Sequence, residues 1–98
     1  MGQGFSLNDD NMDEIYKLTT DKVGSSRSVT QGKWTIIIKK CRVAPSMKHM
    51  IYSMTAKIGD EQIGEVVEFT QSDQISYSDK ANLKKNIEKR INDISLKL

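Results

Sequence analysis

Few side chains in this chain could act as nucleophile, base or soft ligand. It holds one Cys, Cys41, and one His, His49. A nucleophilic Cys needs a neighbouring base, and the base needs a third group to orient it. Cys41 falls in a run of strand-forming residues and His49 opens the next, so a hairpin brings the two segments near each other. No signature of a Cys–His dyad surrounds them, and Cys41 reads as a small buried hydrophobe. Glu65 and Glu68 stand three apart in an extended segment, so they point to opposite faces and cannot share a substrate. Asp9, Asn11 and Asp13 match the opening of a calcium loop. The sixth loop position is Glu14 where Gly is required, and the twelfth is Thr20 where Glu is required. Met47, His49, Met50 and Met54 offer soft copper(I)-type ligands, yet Met50 and Met54 fall on an alternating face that needs them as core fillers. None of the glycines fits a phosphate-cradling pattern. The expectation is a non-enzyme with no catalytic residue, no metal and no cofactor.

Met1-Gly2-Gln3-Gly4-Phe5-Ser6 fits the N-myristoylation pattern. One acyl chain anchors only marginally without basic neighbours. The neighbours here are Asp9, Asp10, Asp13 and Glu14, which repel an anionic surface, so lipidation is not expected.

Charge is more informative. The net charge is +2, but it is unevenly spread. Residues 33–48 carry Lys33, Lys39, Lys40, Arg42 and Lys48 with no acid, while residues 60–73 carry Asp60, Glu61, Glu65, Glu68 and Asp73 with no base. Two readings follow. Basic and acidic strands pair within one sheet, or the basic segment meets an acidic partner or a phosphate backbone.

The elements that must position these groups can be read from periodicity. The chain has 98 residues, enough for one small core. Residues 1–8 read as a flexible lead-in. Asn8 or Asp9 caps a helix over about 9–21, whose first-turn acids suit the positive end of the helix dipole. Its apolar face is Met12, Ile15, Tyr16, Thr19 and Val23, with Leu18 off that face. Residues 24–32 read as loop, with at most a short strand near Val29. Residues 33–43 are the strongest strand, and their mixed faces suggest a bulge. Residues 49–58 alternate, placing Met50, Tyr52, Met54, Ala56 and Ile58 on one side and Ile51, Ser53, Thr55 and Lys57 on the other. A third strand spans 62–70. Ser78 or Asp79 caps a last helix in which Leu83, Ile87, Ile91, Ile94 and Leu98 form one stripe. The expected fold is α+β, α-β-β-β-α, a three-stranded antiparallel meander with the helices packed on one face, over a single domain of residues 9–98.

That element order, the loop Ala44-Pro45-Ser46-Met47-Lys48-His49 and the helix start Ser78-Asp79-Lys80 with Lys84-Lys85 resemble the double-stranded-RNA-binding domain. The sequence departs from that family's hairpin loop, with Ala44 in place of Gly and His49 displaced from Pro45. The resemblance implies phosphate contacts from the 33–48 segment and from Lys80, Lys84 and Lys85.

Elimination favours a different expectation: a small non-enzymatic protein-binding module, an adaptor or an inhibitor or regulator of a larger protein machine. Its partner is another protein. Its contact residues are Lys39, Lys40, Arg42, Lys48, Ile51, Ser53, Thr55 and Lys57, on the open sheet face and the basic strand. Nucleic-acid binding of the duplex-RNA type is the alternative, and a homodimer through an edge strand or the open face is a further arrangement. The sequence shows no signal peptide, no transmembrane segment and no disulfide framework, from which a cytoplasmic, reducing location is expected.

Overall fold

The computed structural model describes residues 5–46, 48–72 and 77–96. The chain runs α1 (Asp9–Tyr16), a single 3₁₀ turn (Lys17–Thr20), β1 (Ser26–Gln31), β2 (Trp34–Val43), β3 (His49–Ile58), β4 (Glu61–Gln62), β5 (Val67–Ser72) and α2 (Tyr77–Ser95). All strand pairs are antiparallel. β2 lies between β1 and β3, and the far side of β3 pairs with β4 and then β5. The α+β arrangement with terminal helices is as expected, and β3 is the middle strand of the meander.

The sheet is wider than three strands because residues 26–31 form a strand, not a loop. β1 pairs with β2 from Ser26↔Lys39 to Gln31↔Trp34, which puts Val29 opposite Ile36 in the core. The two-residue connection Gly32-Lys33 closes this hairpin, and Gly32 supplies the positive φ of 60° that such a turn demands. The expected third strand is instead two pieces. At Gly64 the backbone turns to φ 74°, and residues 63–66 leave the ladder between β4 and β5. Glu65 is therefore not in a strand, and the expected placing of Glu65 and Glu68 on opposite faces of one strand does not arise.

The helices differ from expectation in smaller ways. Asn8 caps α1, its side chain accepting from the Asn11 N–H at 2.8 Å. The last turn tightens to 3₁₀, where positions three apart are eclipsed, so Ile15 and Leu18 stack toward the core. Leu18 is therefore fully buried, and Val23, placed by a longer α-helix on the inner face, is exposed. α2 begins at Tyr77, so Ser78 and Asp79 lie inside the helix instead of capping it. The apolar stripe holds for Leu83, Ile87 and Ile91, all fully buried.

Residues 5–8 belong to the packed body. Leu7 is buried, Phe5 meets Trp34 edge-on at 6.4 Å between ring centroids, and the Phe5 and Leu7 N–H groups donate to Asn92 Oδ1 (2.5 Å) and Glu88 Oε2 (2.7 Å) of α2. The flexible lead-in expected over 1–8 therefore does not extend over 5–8; residues 1–4, with most of the lipidation pattern, lie outside the described residues, as do Met47 of the soft-ligand set and Leu98 of the stripe. Among the described residues no helix is long and apolar enough to cross a membrane.

Candidate functional site

The inward positions of the sheet are packed against Met12, Ile15, Leu18, Leu83, Ile87 and Ile91 of the helical segments, in one cluster with Ile36, Ile38, Met54 and Phe69. Among the described residues no helix packs on the opposite face. Register places Ser28, Thr35, Ile37, Lys39, Ser53, Thr55 and Lys57 on it as cross-strand neighbours. Thr35 pairs with Lys57, Ile37 with Thr55 and Lys39 with Ser53, so the expected Ser53, Thr55 and Lys57 do share one surface with Lys39.

The bulge at Cys41 decides where the rest of the basic strand goes. Pairing shifts between Lys40 and Arg42, which brings Arg42 opposite Ile51 on the open face. Arg42 then reaches diagonally across β3 to Glu68 of β5 in a two-pronged contact, both N···O distances 3.1 Å. The hydrogen bonds from Arg42 hold the Glu68 carboxyl below its ordinary pKa. This bridge spans the Ile51 position, and Ile51 is buried although it belongs to the uncovered face. Basic and acidic strands thus pair within the sheet here: Arg42 stays exposed on the open face but is ion-paired, and Ile51 is buried.

Lys40 is a correction. It lies on the helix side, 7% exposed, and its Nζ donates to the carbonyls of Thr19 (2.8 Å) and Asp21 (2.9 Å). These carbonyls end the 3₁₀ turn, so Lys40 closes a helix terminus and is no surface ligand. Lys48 is exposed in the β2–β3 loop, away from the strand ladder. Cys41 is half-buried, with Sγ 3.7 Å from the Lys39 carbonyl, while His49 Nδ1 lies 3.2 Å from Ser46 Oγ. Among the described residues no hydrogen bond joins Cys41 to His49.

The basic start of α2 faces acids. Lys80 is ion-paired with Asp13 and sits 5.4 Å from the centroid of the Tyr16 ring, and its pKa is raised chiefly by the Asp13 hydrogen bond. Lys80 and Lys84 line one depression with Asp9, Met12 and Asp13. The first turn of α1 therefore lies against the lysines that the RNA-domain resemblance assigns to phosphates. Lys85 is exposed on the outer side of α2.

A second concave region was not anticipated. Where residues 63–66 leave the ladder they meet the last turns of α2, forming a groove of about 760 Å³. Its walls are Ile63, Val67 and Ile94, and Gly64 lies beside Ile94, where a Cβ would be in ordinary contact at 3.5 Å from Ile94 Cγ1. Glu65, Lys89, Arg90 and Asp93 complete the lining. The Arg90 guanidinium rests 5.1 Å from the centroid of Phe69, which itself stacks on Tyr52 at 5.8 Å. Arg90 Nη1 donates weakly to its own helix at Asn86 O (3.4 Å), and its buried Nε has no partner among the described residues. A buried donor without a partner costs about 1–3 kcal/mol. No sequence pattern marks Arg90: it is one more cation on a Lys-rich helix, and only the break at Gly64 gives it a groove.

A comparison with protein-family models, curated proteins and solved structures finds no match to the chain, so no family relationship supports the duplex-RNA resemblance and function has to be reasoned from geometry.

Proposed function

We propose that this chain is a small non-enzymatic binding module that docks a protein partner on the open face of its sheet, as an adaptor or a regulator of a larger assembly in a reducing, cytoplasmic setting. The observation that supports this is the uncovered face itself: both helices pack on the other side, leaving Thr35, Ile37, Lys39, Ser53, Thr55 and Lys57 side by side. Short Thr and Ser side chains make the surface flat. Lys39 and Lys57 have no ion-pair partner among the described residues, so they favour an acidic partner surface. The nucleic-acid reading is weaker because the Lys80–Asp13 pair and the acids beside Lys84 neutralise the helix that would meet phosphates.

The test is an affinity capture from the native source, with and without nuclease, using the native chain and the Lys39→Glu/Lys57→Glu double variant. A protein retained after nuclease by the native chain and lost by the double variant supports the reading. Capture that disappears with nuclease, or that the double variant keeps, overturns it. Light scattering on the purified chain separates a second copy of the chain from a different partner on the same face.

A further inference from the structure

The geometry points to a binding site, separate from the open sheet face, in which the groove between residues 63–67 and the end of α2 takes a monocarboxylate carried on an apolar body, with Arg90 holding the carboxylate. Three observations converge. First, Arg90 is a half-buried cation without an acidic partner: neither Glu65 nor Asp93 is ion-paired with it among the described residues. Its Nη1 points back to Asn86 O, and Nε is buried with no acceptor. Nε itself is enclosed, but Nη2 has no partner among the described residues and is not buried, so a carboxylate in the groove can accept a charge-assisted hydrogen bond from it.

Second, the guanidinium is already positioned. Phe69 lies under it at 5.1 Å, and Phe69 is fixed in turn by Tyr52 in the core. Arg90 thus loses little freedom when a ligand arrives, which favours binding. Third, the groove's remaining walls fix the ligand's character. Ile63, Val67 and Ile94 are only partly buried and accept an aliphatic or aromatic group. Lys89 and Arg90 are balanced by Glu65 and Asp93. The rim acids repel added negative charge, so a phosphate dianion is penalised more than a single carboxylate. A free hydrophobic acid and the carboxyl terminus of a peptide ending in an apolar residue present the same chemistry.

The probe is N-acetyl-leucine, which carries one carboxylate on an aliphatic side chain, titrated into ¹⁵N-labelled protein and followed by amide shifts. The expected result is saturable movement confined to residues 63–67 and 89–94. N-acetyl-leucinamide, equal in shape but uncharged, should bind about tenfold or more weakly, the usual worth of a charge-assisted hydrogen bond. Arg90→Gln should lose the difference between acid and amide, and Glu65→Gln, which removes a rim acid, should tighten the acid. A tetrapeptide ending in leucine, compared with free octanoate, distinguishes a peptide terminus from a free acid as the source. Equal binding of acid and amide by the native protein overturns the proposal, with no variant needed. Inorganic phosphate moving the same amides as strongly, or shifts centred on the open sheet face, also overturns it.

Discussion

Two ends of the molecule treat buried positive charge differently. Around α1 and the 3₁₀ turn, three cations find partners within the fold. Lys40 donates to two carbonyls, Arg27 reaches Glu14 (2.5 Å) and Asp21 (2.8 Å), and Lys80 pairs with Asp13. Where the last turns of α2 cross β5, Arg90 rests on Phe69 with its Nε unanswered, and Lys89 has no ion pair among the described residues. The first end is closed by the chain itself. The second is closed only if something else supplies an acceptor. Charges that knit a fold together and charges held for a ligand thus have the same residue types and differ in whether the fold completes their hydrogen bonds.

The largest perturbation is one that removes both ends at once. Ile87 is fully buried at the middle of α2. Ile87→Ala should cost about 2–5 kcal/mol by lost burial and the cavity left behind, read as a shift in urea midpoint. In a small domain this is a large share of the total stability. Loss below about 1 kcal/mol would mean that α2 is not packed against the sheet at this point.

Smaller and more discriminating is the contrast between Lys40 and Arg90. Lys40→Met keeps the length of the side chain but leaves the Thr19 and Asp21 carbonyls without their donor, a loss of about 1–3 kcal/mol. Arg90→Met removes the unpartnered Nε, which favours the fold, and also the stacking on Phe69, worth about 0.5–2 kcal/mol, so the two changes offset and the net loss should be smaller than for Lys40→Met. Thermal unfolding of the two variants side by side checks this. If Arg90→Met is the more destabilising, Arg90 belongs to the structural set and the comparison between the ends collapses.

Much of this was legible in the sequence, and the failures have physical causes. Periodicity located α2's stripe and the alternation of β3, because each depends on one regular repeat. The bulge was anticipated from the mixed faces of residues 33–43, although its effect, moving Arg42 to Ile51's side, depends on register that no single strand records; Lys40 precedes it and follows Trp34, Ile36 and Ile38 inward by alternation. β1 was read as no more than a short strand near Val29 because Ser26-Arg27-Ser28 has little strand propensity; the usable signal for its full length was Gly32 in a two-residue connection before Trp34. Leu18 was misplaced because the switch to 3₁₀ rotates a residue that an α-helical wheel turns outward. Alternation alone placed Ser53, Thr55 and Lys57 on the outer face; Lys39 was named for its charge, and the register sets it beside them. Arg90 was not found, since its surroundings come from residues 63–69, distant in sequence.

The smallest expected effect is also the most specific to the closed end. Glu14 and Asp21 are both held below their ordinary pKa values of 4.5 and 3.8, in each case first by the hydrogen bond from Arg27. A carboxyl whose pKa is depressed in the folded state adds stability that is fully present above its unfolded value. That stability is lost as pH falls through the folded value, because the unfolded chain then binds the proton more readily. Native protein should therefore lose thermal stability between about pH 5 and pH 2. Arg27→Gln should be less stable than native above that window and should lose less on entering it, so the two curves converge in acid. Glu68, held down by Arg42 on the open face, contributes the same acid slope to both proteins and cancels in the comparison. Arg90→Gln has no ion-paired carboxylate to release and should run parallel to native throughout. Thermal midpoints measured across this range for the three proteins distinguish the ends: a curve for Arg90→Gln that converges on native in acid would show that Arg90 is ion-paired within the fold, leaving the groove no free cation to offer.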